Sequence, residues 1–279
     1  MITQEIFAAV RRLEIRARRS VDSLSAGAYA SHFRGRGMEF SEVREYAEGD
    51  EVRSIDWNVT ARTGVPHVKI FTEERELRIH ILADISGSSE FGSVRRRRAL
   101  AAEVGAVLAL CASRNRDRVA LTLFSDREEL HLPYARGRSQ GLRIARELLA
   151  FQPQSKRSGI GRALKELMRA ERRREIVFLL SDLMDEGWLD CLRNVAAKHE
   201  ITVLHLLDPF ELKASTSLPR VSVRDAETGE LAELRGDGSL STRQWAERTR
   251  EDCLQAGAQY ARLSTQGDWL PELSRCLGS

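Results

Sequence analysis

The sequence predicts an α/β protein, a mostly parallel sheet covered by helices on both faces. Three observations carry this reading. From Leu77 onward, short runs of β-branched and aliphatic residues alternate with segments whose apolar residues recur at helical spacing. EIVFLLSD is apolar enough to be a strand buried on both faces. EELHLPY follows RVALTLFSD so closely that it returns beside it as an antiparallel edge strand.

The elements follow in order. Residues 1–24 predict one amphipathic helix, with Ile6, Val10, Leu13, Ala17 and Val21 on one face and arginines opposite. Residues 25–76 break that pattern with glycines, and GMEFSEV and HVKIFTEE read as short strands. Phe33, Phe40, Tyr46, Trp57 and Phe71 supply packing there. Residues 1–76 are therefore expected to form a small helix and β-rich subdomain, and residues 77–279 the α/β domain. In that domain LRIHILAD is a strand ending in Asp84. A helix follows, with Leu100, Val104, Val107, Leu108 and Cys111 at helical spacing. After the RVALTLFSD and EELHLPY strands come helices near 139–151 and 160–172, then the strand EIVFLLSD ending in Asp182. A helix from Trp188 to His199 leads into the strand ITVLHLLD. A hairpin at 220–235 turning at Glu227-Thr228-Gly229, a helix at 242–256, a strand at Tyr260–Leu263 and a helix near 269–277 close the chain. The sheet so predicted is doubly wound and has six strands.

Composition narrows the function classes. Of 279 residues, 42% are hydrophobic and 30% charged, which excludes a disordered chain. The longest apolar run, Val104 to Ala112, is about half the roughly 20 residues of a membrane-spanning helix. The first residues show no apolar block before a small-residue cleavage site, so a cytoplasmic protein is expected. Basic and acidic residues number 44 and 41, a near balance that argues against nucleic acid. Cys111, Cys191, Cys253 and Cys276 are far apart and form no CxxC, as expected of reduced, mostly buried thiols.

In an open α/β sheet, ligands sit beyond the carboxyl ends of strands where the strand order reverses. Two strands end there in an acid beside hydroxyls, Asp84-Ile85-Ser86-Gly87-Ser88-Ser89 and Ser181-Asp182. Ser158, in KRSGIGRALKEL, opens a helix. If Asp84 and Asp182 are on adjacent strands, two carboxylates and the Ser86, Ser88 and Ser158 hydroxyls converge. Such an all-oxygen set suits a hard cation, Mg²⁺ first and Mn²⁺ or Ca²⁺ as alternatives. Gly87 is expected to permit the turn.

DISGS resembles the D-x-S-x-S of the metal-ion-dependent adhesion site in von Willebrand factor A domains. SGIGRALK resembles that family's T-x-x-G-x-A-L loop, and FLLSD its last strand-end aspartate. The resemblance implies that Ser86 and Ser88 bind the metal directly. It also implies that Ser158 replaces the usual threonine, and that Asp84 and Asp182 act through water. Upstream, GRGMEFSEVREYAEGDEVRSIDWNVTARTGVPHVK closely resembles the signature of the bacterial domain-of-unknown-function-58 family, in which a von Willebrand A-like domain follows this segment. DPFEL near 208–212 and DAETGEL are similar to further family features. Members are often encoded beside MoxR-type AAA+ ATPases, so the resemblance implies an adaptor or partner of such an ATPase.

Two charged features admit two readings each. Arg95–Arg98 opens a helix with four cations, either a solvated face or a basic rim that steers an acidic partner. Arg44, Arg53 and Arg62 can pair with Glu39, Asp50 and Asp56, as a structural lattice or as a recognition surface. Enzyme motifs are scarce: the sequence has no H-E-x-x-H or Walker A pattern. The six histidines are scattered and read as packing or surface residues. The function expected is non-catalytic docking through a Mg²⁺ site whose uncharged ligands leave the cation electrophilic toward a partner's Asp or Glu. The alternative is a Mg²⁺-dependent phosphoester hydrolase at the same residues.

Overall fold

A computed structural model describes residues 20–22, 24, 39–47, 49–72, 77–170, 173–211, 221–224, 231–234 and 242–278. Most of the helix expected at 1–24 lies outside them, although Val21 and Leu24 are buried in the core. So do Phe33 and the turn expected at 227–229.

The strands are β1 (Glu39–Glu45), β2 (His67–Thr72), β3 (Arg78–Asp84), β4 (Arg118–Phe124) and β5 (Glu128–Ala135). They continue with β6 (Ile176–Ser181), β7 (Glu200–Leu207), β8 (Val221–Arg224), β9 (Leu231–Leu234) and β10 (Gln259–Ser264). The α-helices are α1 (Trp57–Thr63), α2 (Arg97–Arg114), α3 (Arg138–Ala150) and α4 (Ile160–Ala170). They are followed by α5 (Leu189–Lys198), α6 (Thr242–Gln255) and α7 (Leu270–Gly278).

Six strands form one sheet in the order β10-β7-β6-β3-β4-β5, parallel except that β5 runs antiparallel to β4. This is the architecture the sequence predicts, antiparallel edge included. Two cores follow from the two-residue period of the strands. Ile79, Ile81 and Ala83 of β3 pack with α2, α3 and α7, whereas Leu82 packs on the other face with α4 and α5. Helix α2 is apolar nearly all round and correspondingly buried, from Leu100 and Val104 to Cys111. Its many alanines let the backbone approach the sheet and favour the helix intrinsically.

The two short strands expected upstream are present as β1 and β2, which pair antiparallel. Arg44 grips Asp50 with two bonds of 2.7 Å, one of the pairings expected. Asp56 caps α1, accepting from the backbone N–H groups of Asn58 and Val59. Trp57 is misjudged from sequence. It is 66% exposed at the first position of α1, not a packing residue. β8 and β9 form the expected hairpin. All four cysteines are free thiols, three of them buried. His80 and His131 both contact Thr122 Oγ1 at 2.9 Å, under α4 and away from the strand ends discussed next.

Candidate adhesion-type site at the sheet switch point

β3 lies between β6 and β4, so successive connections leave it in opposite directions and the switch point falls between the ends of β3 and β6. Asp84 ends β3, and Ser181 and Asp182 close β6 beside it. Four of the five predicted residues are joined in two hydrogen-bonded pairs. Asp84 Oδ2 accepts from Ser158 Oγ at 3.0 Å. Ser86 and Ser88 stand 3.1 Å apart, Oγ to Oγ. The fifth, Asp182, lies close enough to push the Asp84 pKa upward.

The loop after β3 builds itself locally. Ser86 N–H donates to Asp84 Oδ1 at 2.9 Å, a side-chain-closed turn, and residues Gly87–Glu90 follow as a 3₁₀ turn. Gly87 opens this turn without a positive φ. Its N–H donates to the Lys156 carbonyl at 2.7 Å, tying this loop to the one that carries Ser158. Leu183, directly after Asp182, is buried at φ 59°, a left-handed conformation that leucine adopts only under constraint.

Two groups missed in the sequence complete the site. Ser181 Oγ donates to Asp84 Oδ2 at 2.9 Å, so Asp84 is held by two hydroxyls and an amide. Arg97 is 3% exposed and bridges Asp182 Oδ2 at 3.1 Å, the Ser88 carbonyl at 3.0 Å and the Glu211 carboxylate. Arg98 is buried as well. Arg97 is thus part of neither a solvated face nor a rim.

Burial raises the Asp84 pKa, the Asp182 charge raises it further, and together they push it up to about 6. With Asp84 ionised, Asp84, Asp182 and Glu211 carry three negative charges against the single Arg97. A dication would neutralise the excess. Adjacent ligand oxygens around octahedral Mg²⁺, at about 2.0–2.1 Å from the ion, stand roughly 2.9 Å apart. The Ser86–Ser88 separation is close to that value. Among the described residues no three His, Cys, Asp or Glu side chains are grouped to hold a metal, so the hydroxyls would have to carry the coordination. The donor set fits a hard cation and excludes a soft-metal site.

Asp208 organises the same sheet edge. Fully buried after β7, it accepts from Ser93 N–H (2.8 Å), Ser93 Oγ (2.6 Å), Thr265 Oγ1 (2.6 Å) and Phe210 N–H (2.8 Å). Burial alone would raise its pKa, but the Ser93, Thr265 and Phe210 donors outweigh it and hold the carboxyl below its ordinary value. A depressed carboxyl stabilises the fold above its unfolded pKa of about 3.9, and that contribution is lost as pH falls through the folded value. Asp208→Asn should therefore be less stable at pH 7 and show a flatter loss below about pH 4. Denaturant unfolding across pH measures this, and equal slopes would contradict it.

Gly159 makes a second prediction. A Cβ there would stand 2.9 Å from Asp126 Cα and 3.1 Å from the Ser125 carbonyl oxygen, both backbone atoms. Gly159→Ala should cost about 1–3 kcal/mol in denaturant unfolding by displacing the Ser158 loop. Gly161→Ala, with its nearest contact at 3.6 Å, should be tolerated.

The sheet order and the antiparallel edge strand define a doubly wound α/β protein. The family model described as "Protein of unknown function DUF58" matches residues 42–253, and the chain belongs to that family. The uncharacterized protein Rv1480 of Mycobacterium tuberculosis is 30% identical over 288 residues, covering 99% of this chain and 90% of that protein. Among solved structures the chain is similar to BatB from Bacteroides thetaiotaomicron, with TM-score 0.49 and 16% identity over 72% of this chain and 97% of that one. It is also similar to the SpRpn10 VWA domain, with TM-score 0.39 and 12% identity over 71% of this chain and 94% of that one. Among the described residues no helix is long and apolar enough to cross a membrane.

Proposed function

We propose that this protein is a cytoplasmic, non-catalytic docking protein. It captures a partner's Asp or Glu through Mg²⁺ held at Ser86, Ser88 and Ser158, with Asp84 and Asp182 behind them. Bound there, the metal supplies an electrophilic coordination position. Asp84 accepts the Ser158 hydroxyl proton as a hydrogen bond, which would leave that oxygen's lone pairs free for the cation. Asp182 is shared with Arg97, which limits how much negative charge the site itself presents and keeps the cation receptive to an outside carboxylate.

The observation that carries this reading is the buried Asp84 carboxylate, surrounded by hydroxyls and facing Asp182. The surrounding edge supports it. Phe91, Val94, Met184 and Phe210 are all more than a third exposed on the segments leaving that edge, and the Phe91 and Phe210 rings lie 6.4 Å apart. Exposed apolar side chains around a polar centre suit a protein partner. The partner we propose is a MoxR-type AAA+ ATPase, following the family resemblance. Capture of the purified ATPase from the same organism, in Mg²⁺ against chelator, tests the reading. A parallel phosphatase and nuclease panel should give no Mg²⁺-dependent turnover.

A further inference from the structure

Arg96 and Arg98 share one acid. Glu90 accepts from Arg96 Nη1 at 2.7 Å and from Arg98 Nη1 at 3.4 Å, the second a long contact. Both arginines, with Lys156 and Glu90, line a cleft of about 600 Å³ beside the D-x-S-x-S loop. Three cations against one carboxylate leave two positive charges in excess on its wall. Arg98 is 7% exposed, and its Nη2 has no hydrogen-bond partner. Such a group in a native fold calls for an explanation. Helix α2 starts here without a side-chain cap, and Ala99 of its first turn is in the wall, so the positive end of the helix adds to the field. The cleft is also fixed to the metal-type site. Ser86 and Gly87 belong to its wall, and the Gly87 N–H bond to the Lys156 carbonyl holds the two loops together.

We infer that this cleft is a second recognition site, an anion pocket that takes a carboxylate of an acidic peptide segment. Charge complementarity selects the anion. Shape selects a peptide side chain over a free oxyanion, because Ile85, Leu149 and Pro153 add apolar surface to the wall and the volume exceeds that of a small ion. The inference rests on the docking reading only for its partner. A segment with one acid at Ser86 and Ser88 can place another in the cleft across the wall they share.

Fluorescence anisotropy of labelled hexaglutamate with the full chain, at low salt, tests it in Mg²⁺ and in chelator. Hexaglutamine and a phosphoserine peptide are the comparison probes. Hexaglutamate should bind in chelator, and Arg98→Gln should weaken it at least tenfold. The double variant Arg96→Gln/Lys156→Gln, on exposed residues, should do the same with unchanged melting temperature, and it carries the test if Arg98→Gln fails to fold. Three results would overturn the cleft: no binding by the wild type, equal binding by the double variant, or equal binding of hexaglutamine. A phosphoserine peptide binding tenfold tighter than hexaglutamate would overturn its assignment to carboxylates. Binding that needs Arg96 and Lys156 but ignores chelator supports the cleft whatever becomes of the metal site. Binding lost in chelator yet untouched by these substitutions overturns the cleft and leaves metal-dependent docking standing.

Discussion

Arg97→Ala should destabilise the protein by about 3–5 kcal/mol, the range for removing one partner of a buried ion pair. The guanidinium joins three pieces of chain: the end of β6 through Asp182, the 3₁₀ turn through the Ser88 carbonyl, and the segment after β7 through Glu211. Its loss leaves Asp182, itself 4% exposed, without its cation beside a second buried carboxylate. Denaturant unfolding measures the cost. Asp182→Asn placed on top of Arg97→Ala should recover part of it, because the stranded charge is then gone. A loss below about 1 kcal/mol would mean that the pair contributes no more than a surface bridge.

Asp84→Asn should do the opposite. The substitution removes one of two neighbouring buried charges, so in chelator the variant should melt no lower than the wild type. Mg²⁺ should no longer protect it. A group that orients metal ligands typically accounts for about ten- to hundredfold in metal affinity. The midpoint of a Mg²⁺ titration followed by melting temperature should move by that factor or vanish. Residues kept for binding at the expense of stability behave in this way. A variant that loses stability in chelator and still responds normally to Mg²⁺ would mark Asp84 as a structural residue.

The fold was legible because β3, β4, β6 and β7 are short, mostly apolar runs separated by segments with helical spacing or helical composition. The antiparallel return of EELHLPY needed only the three-residue gap before Glu128. The acids were legible because a strand end fixes where a residue stands, and two strand ends meet at a switch point. Arg97 was not. Along the chain it is one of four identical residues, and nothing local separates it from Arg96, which is exposed. Its burial depends on Asp182 and Glu211, which lie 85 and 114 residues away. Ser181 was passed over for the acid beside it, although its hydroxyl reaches the neighbouring strand's Asp84. Trp57 misled because aromatic character was read as packing, where the cap formed by Asp56 already fixes the helix start and leaves the indole outside.

The central claim is that a metal at Ser86, Ser88 and Ser158 joins this protein to an acidic residue on its partner. Capture of the purified MoxR-type ATPase, with wild type and Asp84→Asn side by side in Mg²⁺ and in chelator, tests it most directly. Retention by the wild type in Mg²⁺ alone is the result predicted; equal retention by both proteins in both buffers would contradict it.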